Sequence, residues 1–144
     1  MSPVRKRPTV KEFMTPDPFT LEPEDSLMQA LETMRLRGVR RIPIVLAGML
    51  VGLLVEGDLK RAEPSTLSQS QEDFQRVMEG TTISRIMIQD PVTVTAATPL
   101  LEAARTLHDT KYGSLPVVED GRVVGILTDN DMLRALIEVL GRED

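Results

Sequence analysis

Apolar residues recur along this chain at two spacings that alternate. At Leu27, Ala30, Leu31 and Met34, and again at Leu100, Ala103, Ala104 and Leu107, they keep the rhythm that buries one face of a helix. From Ile42 to Val55 and from Leu115 to Thr128 they form paired apolar runs around Ala47-Gly48 and Asp120-Gly121. Asp-Gly tolerates the positive φ angles of a tight turn and Ala47-Gly48 stands in its place, so each stretch predicts a hairpin. Short strands, Phe19-Thr20-Leu21 and Val92-Thr93-Val94, are predicted ahead of the helices. The helix starts fall at Asp25 and Thr98, both good N-caps, with Pro99 suited to a first helical position. A second helix closes each set, from about Gly57 and about Asn130. Each set reads β-α-β-β-α, an α+β pattern.

The two sets are copies. Shifting the chain by 73 residues lays Met14 on Met87, Pro18 on Pro91, Pro43 on Pro116, Gly52 on Gly125, Asp58 on Asp131 and Arg61 on Arg134, without a gap from Val10 to Arg61. One register held across prolines, glycines and acids is the mark of a duplication. The expected organisation is an N-terminal tail at 1–8, a first repeat at 9–62, a linker at 63–81, a second repeat at 82–140 and a C-terminal tail at 141–144. Within the linker, Glu63-Pro64-Ser65-Thr66 reads as a loop. Gln71 to Glu79, with Phe74, Val77 and Met78 at helical spacing, reads as a short helix stopped by Gly80. A unit of roughly 55 residues is marginal alone. The copies are therefore expected to pack about a pseudo-twofold axis, with their strand-to-helix junctions in clefts of the shared interface.

Composition narrows the chemistry. The chain has no cysteine and one histidine, His108, which leaves thiolate catalysis, disulfides and multi-histidine metal sites without parts. No carboxylate pair stands beside a recognisable base, so an enzyme is not expected. A formal charge of -5 opposes binding to a nucleic-acid backbone through Arg5 to Arg7 or Arg35 to Arg41. No apolar run approaches a membrane span and no signal peptide is visible, so a cytoplasmic protein without a membrane partner is expected.

The stretch with ligand-binding chemistry is Gly125-Ile126-Leu127-Thr128-Asp129-Asn130-Asp131, at a strand-to-helix junction. The first N–H groups of a helix lack intrahelical partners and carry the positive end of its dipole, so they favour an anion. Thr128 can donate to a phosphate oxygen. Asp131, accepting only, suits the two hydroxyls of a ribose. The same letters also spell a capping box, in which Thr128 and Asp131 satisfy the helix's own N–H groups. In the first copy Val55 stands where Thr128 does, so a capping box does not account for what the copies share. The missing hydrogen bond predicts affinity weaker by about one to two orders of magnitude there.

Met14-Thr15-x-x-Pro18, Ile42-Pro43-Ile44-Val45 with Leu115-Pro116-Val117-Val118, and the Gly-apolar-x-Thr-x-x-Asp run at Gly125 to Asp131 resemble the cystathionine β-synthase (CBS) domain family in its tandem form, the Bateman module. The linker and the ending Asp131 to Leu136 are similar to the free-standing pairs of the acetoin-utilisation type. The resemblance implies a regulatory, energy-sensing module that binds AMP, ADP or ATP, with or without magnesium, and signals occupancy to a regulated protein. It places the stronger site on Ile126, Thr128 and Asp131, walled by Thr15, Asp17 and Phe19 with Val39 and Arg40. Arg40 or Arg41 would pair with phosphate or stay solvated. The weaker site would use Leu53, Val55 and Asp58 with Val92, Tyr112, Gly113 and Ser114, Tyr112 lying against adenine or against the hairpin. A flat homodimer through helices is also implied, for which Leu133, Leu136, Ile137 and Leu140 are candidates unless the monomer buries them. The alternatives are a structural or dimerisation module without ligand, or a site for S-adenosylmethionine or a cyclic dinucleotide.

Overall fold

A computed structural model of the chain describes residues 7–65 and 70–142. Its elements in chain order are α1 (Val10–Phe13), β1 (Thr15–Pro16), α2 (Leu27–Arg37), β2 (Arg41–Leu46), β3 (Met49–Val55), α3 (Glu56–Ala62), α4 (Gln71–Gly80), β4 (Ile88–Gln89), α5 (Leu100–Thr110), β5 (Ser114–Glu119), β6 (Arg122–Thr128) and α6 (Asp129–Gly141), with a 3-10 turn at Ile83–Arg85. They gather into two compact units, Met1–Pro18 with Val92–Asp144, and Phe19–Pro91. Each hairpin is thus joined by an arm from elsewhere in the chain. The arm carrying α1 and β1 packs with the second hairpin, and the segment carrying β4 packs with the first.

In the unit Phe19–Pro91, β2 and β3 pair antiparallel from Arg41↔Val55 to Leu46↔Met49, with a bulge at Ile44/Val45. Ala47 and Gly48 turn the hairpin at φ 51 and 82, the left-handed geometry anticipated for this pair. The apolar stripe of α2, Leu27, Ala30, Leu31 and Met34, is buried against Ile42, Ile44, Leu54 and Leu59. Helix α4 adds Met78, fully buried, with Phe74 half-buried and Val77 left outside at 38% exposure. Ser70 caps α4 by accepting the Asp73 N–H at 3.1 Å, and Gly80 is its last residue. Of the expected loop ahead of it, Glu63 to Ser65 are irregular and Thr66 lies outside the described residues.

The unit Met1–Pro18 with Val92–Asp144 repeats this plan. Strands β5 and β6 pair from Ser114↔Thr128 to Glu119↔Arg122, turned by Asp120 and Gly121 at φ 52 and 80. Its core joins Leu100, Ala103, Leu107, Leu115, Val117, Leu127 and Ala135 to Val10 and Phe13 of the arm. The arm is pinned by backbone bonds, Val10 N–H to the Thr98 carbonyl and Leu100 N–H to the Pro8 carbonyl, both 3.0 Å. Ala104 is only half-buried.

Three expectations are corrected. The short strands before the helices reduce to single parallel bridges, Leu21↔Ile44 and Val94↔Val117, because the chain turns immediately afterwards. Those turns consume the expected caps: the Asp25 carboxylate accepts the Glu22 N–H at 2.8 Å and the Thr98 hydroxyl accepts the Thr95 N–H at 2.9 Å. The helices consequently cap one residue later. Ser26 forms a capping box with Gln29, and Pro99 is the N-cap of α5 instead of its first helical residue. Helices α3 and α6 start at Glu56 and Asp129, one residue ahead of the expected starts.

Candidate functional site

Strand β6 ends at Thr128, whose side chain and backbone open helix α6. The Thr128 hydroxyl accepts the Asp131 N–H at 3.2 Å, and the Asp131 carboxylate accepts the Thr128 N–H at 2.9 Å. The capping box read from the sequence is therefore formed. It does not exhaust the carboxylate, which has lone pairs for about four donors. The Thr15 hydroxyl of the arm donates to the two oxygens at 3.3 and 3.4 Å, and Arg134, one turn along α6, approaches at 3.4 Å. Asp131 is 3% exposed, one of two buried polar or charged residues among those described.

Arg134 also donates to the Phe13 carbonyl at 2.6 Å, tying the arm to α6. Residues from the two ends of the chain thus meet at one carboxylate. The 73-residue register marks Arg134 through its match with Arg61, but gives no sign that it would reach the arm.

Gly125 makes this approach possible. Strand β1 pairs with β6 as Thr15↔Ile126 and Pro16↔Gly125. A Cβ on Gly125 would stand 2.6 Å from the Met14 sulfur and 3.1 Å from the Thr15 carbonyl. Gly52 faces the same constraint, 2.5 Å from the Met87 sulfur and 3.0 Å from the Ile88 carbonyl. The glycines shared by the two copies let an arm lie flat on a strand. Met14 and Met87, matched in the repeat, are the residues laid there.

The remaining expected residues are distributed as follows. Ile126 is buried opposite Thr15. Asp17 is exposed at φ 47, a left-handed conformation that Asp tolerates better than most residues, and its N–H donates to the Val124 carbonyl at 3.2 Å. Phe19 belongs to the other unit, where the Arg37 guanidinium lies 4.0 Å above its ring. Val39, half-buried, and Arg40, exposed, lie in that unit too, and the Arg40 carbonyl accepts the Glu56 N–H at 2.8 Å.

The first-copy junction is built differently. Val55 is the N-cap of α3 without a side-chain cap bond, Leu53 is fully buried, and Asp58 pairs with Arg61 on its own helix. The Arg61 side chain is 73% exposed and Asp58 24%. Val92, Tyr112, Gly113 and Ser114 lie in the unit of the second copy. Val92 is 41% exposed and Tyr112 half-buried, while Gly113, at φ 75, accepts the Asp129 N–H at 3.0 Å. The Ser114 hydroxyl is fully buried and, among the described residues, is the single buried side-chain polar atom without a hydrogen-bond partner. Such an atom calls for a water or a ligand.

Residues 10–65 and 83–138 each match the CBS domain model. The chain belongs to the CBS domain family. Among solved structures, a Vibrio cholerae protein assigned to acetoin utilization, AcuB, is 31% identical, with a TM-score of 0.78 and 96% of each chain covered. CBSX2 of Arabidopsis thaliana, solved in complex with AMP, is 32% identical with a TM-score of 0.75, over 91% of this chain and 97% of that one. The CBS domain pair of protein MJ0100, solved with 5′-methylthioadenosine and S-adenosyl-L-methionine, is 28% identical with a TM-score of 0.76, over 91% and 97%. The fold is that of a CBS pair. Among the described residues no helix is long and apolar enough to cross a membrane, and no cluster of three or more His, Asp or Glu could hold a metal ion.

Proposed function

We propose that this chain is a non-catalytic regulatory module that binds an adenosine nucleotide at the Thr128–Asp131 junction and signals its occupancy to a regulated protein. The observation that carries the reading is the placement of Asp131. It is a buried carboxylate at a helix N-terminus with Thr128 and Thr15 beside it, in a chain related to a pair solved with AMP. Rotation of the Thr15 hydroxyl frees an acceptor position on each carboxylate oxygen while the bonds from the Thr128 N–H and Arg134 persist. A ribose diol supplies two O–H donors to replace it. The positive end of the α6 dipole and the Thr128 hydroxyl, which accepts the Asp131 N–H and can still donate, then favour the 5′ phosphate.

Phe19, Val39 and Arg40 enter this proposal through the family resemblance. The first-copy junction, without a hydroxyl at Val55, forms the weaker site. The complex of MJ0100 supports a second reading, in which the adenosine belongs to S-adenosylmethionine or a product of it. Both readings use the same ribose contact and differ in the charge of the 5′ group. Occupancy becomes a signal only to the extent that ligand binds one arrangement of the chain better than another.

Calorimetry of the full chain against AMP, ADP, ATP and S-adenosylmethionine tests this. The expected result is two binding events of unequal affinity, with the stronger one lost in Asp131→Ala. Silence from the whole panel would sink the nucleotide reading and leave Thr128 and Asp131 as a helix cap.

A further inference from the structure

We propose that the groove between the arm at Arg7 and Pro8 and the exposed side of α5 receives an amphipathic helix of a partner protein, in the place that α4 fills in the first copy. The duplication identifies the occupant. In the first copy the Thr81 carbonyl accepts the Leu27 N–H at 2.9 Å and Ser26 bridges Thr82; in the second the Pro8 carbonyl accepts the Leu100 N–H at 3.0 Å and Pro99 bridges Thr9. These residues match at the 73-residue register, so the chain crosses the start of α2 and the start of α5 in the same way. What stands beside the crossing differs. In the first copy it is α4, which sets Phe74 and a fully buried Met78 into the core that α2 shares. In the second, Arg7, Pro8, Pro99, Leu101, Glu102 and Arg105 are among the residues lining an open groove of about 580 Å³.

Exposure of the matched side chains follows this difference. Met28 of α2 is half-buried and packs on the core that holds Met78. Leu101, its counterpart on α5, is 60% exposed. A helix laid in the groove would cover it.

The first six residues of the sequence lack the chemistry of α4. The register puts Arg5 where the buried anchor Met78 is and Val4 where Val77 is, the residue that α4 leaves outside. Burying a guanidinium in Met78's apolar surroundings without a partner is strongly unfavourable. The occupant therefore comes from another protein. It carries two apolar side chains four residues apart, as Phe74 and Met78 are, since that spacing puts both on one helix face. Helix α4 has 10 residues, so a stretch of roughly 15 Å suffices. Arg105 replaces Glu32 of the first copy, so the occupant is matched by a carboxylate on its flank.

The proposal does not depend on nucleotide binding and is tested on the full chain. The probe is a labelled peptide with the sequence Ser70 to Gly80. Fluorescence anisotropy should show it binding the unaltered protein, about tenfold more weakly to Leu101→Glu and about threefold more weakly to Arg105→Glu, with helical circular dichroism unchanged in both variants. Leu36→Glu, at an exposed apolar residue of α2, should bind it as the unaltered protein does. A short free peptide must fold as it binds, so the same helix is also supplied within the chain, Ser70 to Glu79 replacing residues 1–6 ahead of Arg7. The melting temperature should then rise by about 3 °C or more, and Leu101→Glu should cancel the rise. If the free peptide is silent this second result decides, and no rise would overturn the proposal. Tighter peptide binding after deletion of residues 1–6 would overturn it by showing that they fill the groove. A lower sedimenting mass for Leu101→Glu than for the unaltered protein would overturn it in favour of a second copy of this chain.

Discussion

Asp131 and Asp58 occupy equivalent positions in the two copies, and their surroundings differ in almost every respect. Asp131 is enclosed by a capping hydroxyl, an arm from the N-terminal region and an arginine that also holds that arm. Asp58 has an exposed arginine on its own helix and no side-chain cap bond at Val55, three residues before it. The comparison shows that a duplicated backbone preserves where a carboxylate stands, while a few side chains decide how firmly it is held. Replacing Thr128 with valine, the residue at position 55, removes the hydroxyl that accepts the Asp131 N–H, whereas the bond from the Thr128 N–H to the carboxylate does not depend on that side chain.

Four experiments sharpen or break this contrast. The largest difference is expected between Asp131→Ala and Asp58→Ala. The first loses a cap and charged hydrogen bonds in a buried site, about 3 kcal/mol, and the second stays within about 0.5 kcal/mol. Equal shifts in urea midpoint would break the contrast. Next come Gly125→Ala and Gly52→Ala, each expected to cost about 1–3 kcal/mol by crowding a methionine and a backbone carbonyl, and to do so alike, because the arms approach both strands equally closely. A neutral effect at either would show that the methionine simply moves aside.

Exchanging the caps is a smaller change. Thr128→Val should cost about 1 kcal/mol, and Val55→Thr should gain up to about 1 kcal/mol by completing a capping box with Asp58. Thermal melts of the two variants moving in the same direction would refute it. The smallest expected effect is that of salt. The Asp58–Arg61 pair is exposed, so the few tenths of a kcal/mol it contributes should vanish by about 1 M salt, whereas the loss from Asp131→Ala should persist.

The elements were legible because their chemistry is local. Asp120-Gly121 carries its own turn, and Leu27 to Met34 carries its own buried face. The copies' shared register even located the junctions. Where two adjacent residues can do one job, the letters do not decide: Asp25 and Ser26 are both good caps, and the choice depended on which one the preceding turn had already taken. The partner of each arm was also hidden. Register says that Thr15 is equivalent to Ile88, but not which hairpin either will join. The exposure of Leu133 and Ile137 was undecided for a related reason, since an amphipathic helix reads the same whether its apolar face turns inward or outward.

The exchange of arms has a consequence for how the chain is made. The unit Phe19–Pro91 is one uninterrupted stretch, so all the residues of its core are present once it has emerged from the ribosome. Those of the other unit are not. Its arm is synthesised first, but α6, which supplies Asp131 and Arg134, comes last, so at about 5–20 residues per second the arm waits roughly 6–25 s for its partner. During that interval Val10 and Phe13 have no native core to enter, and they must not settle on the hairpin already formed. Closing a loop across nearly the whole chain is the slow, non-local step, and it is the step that assembles the Asp131 junction.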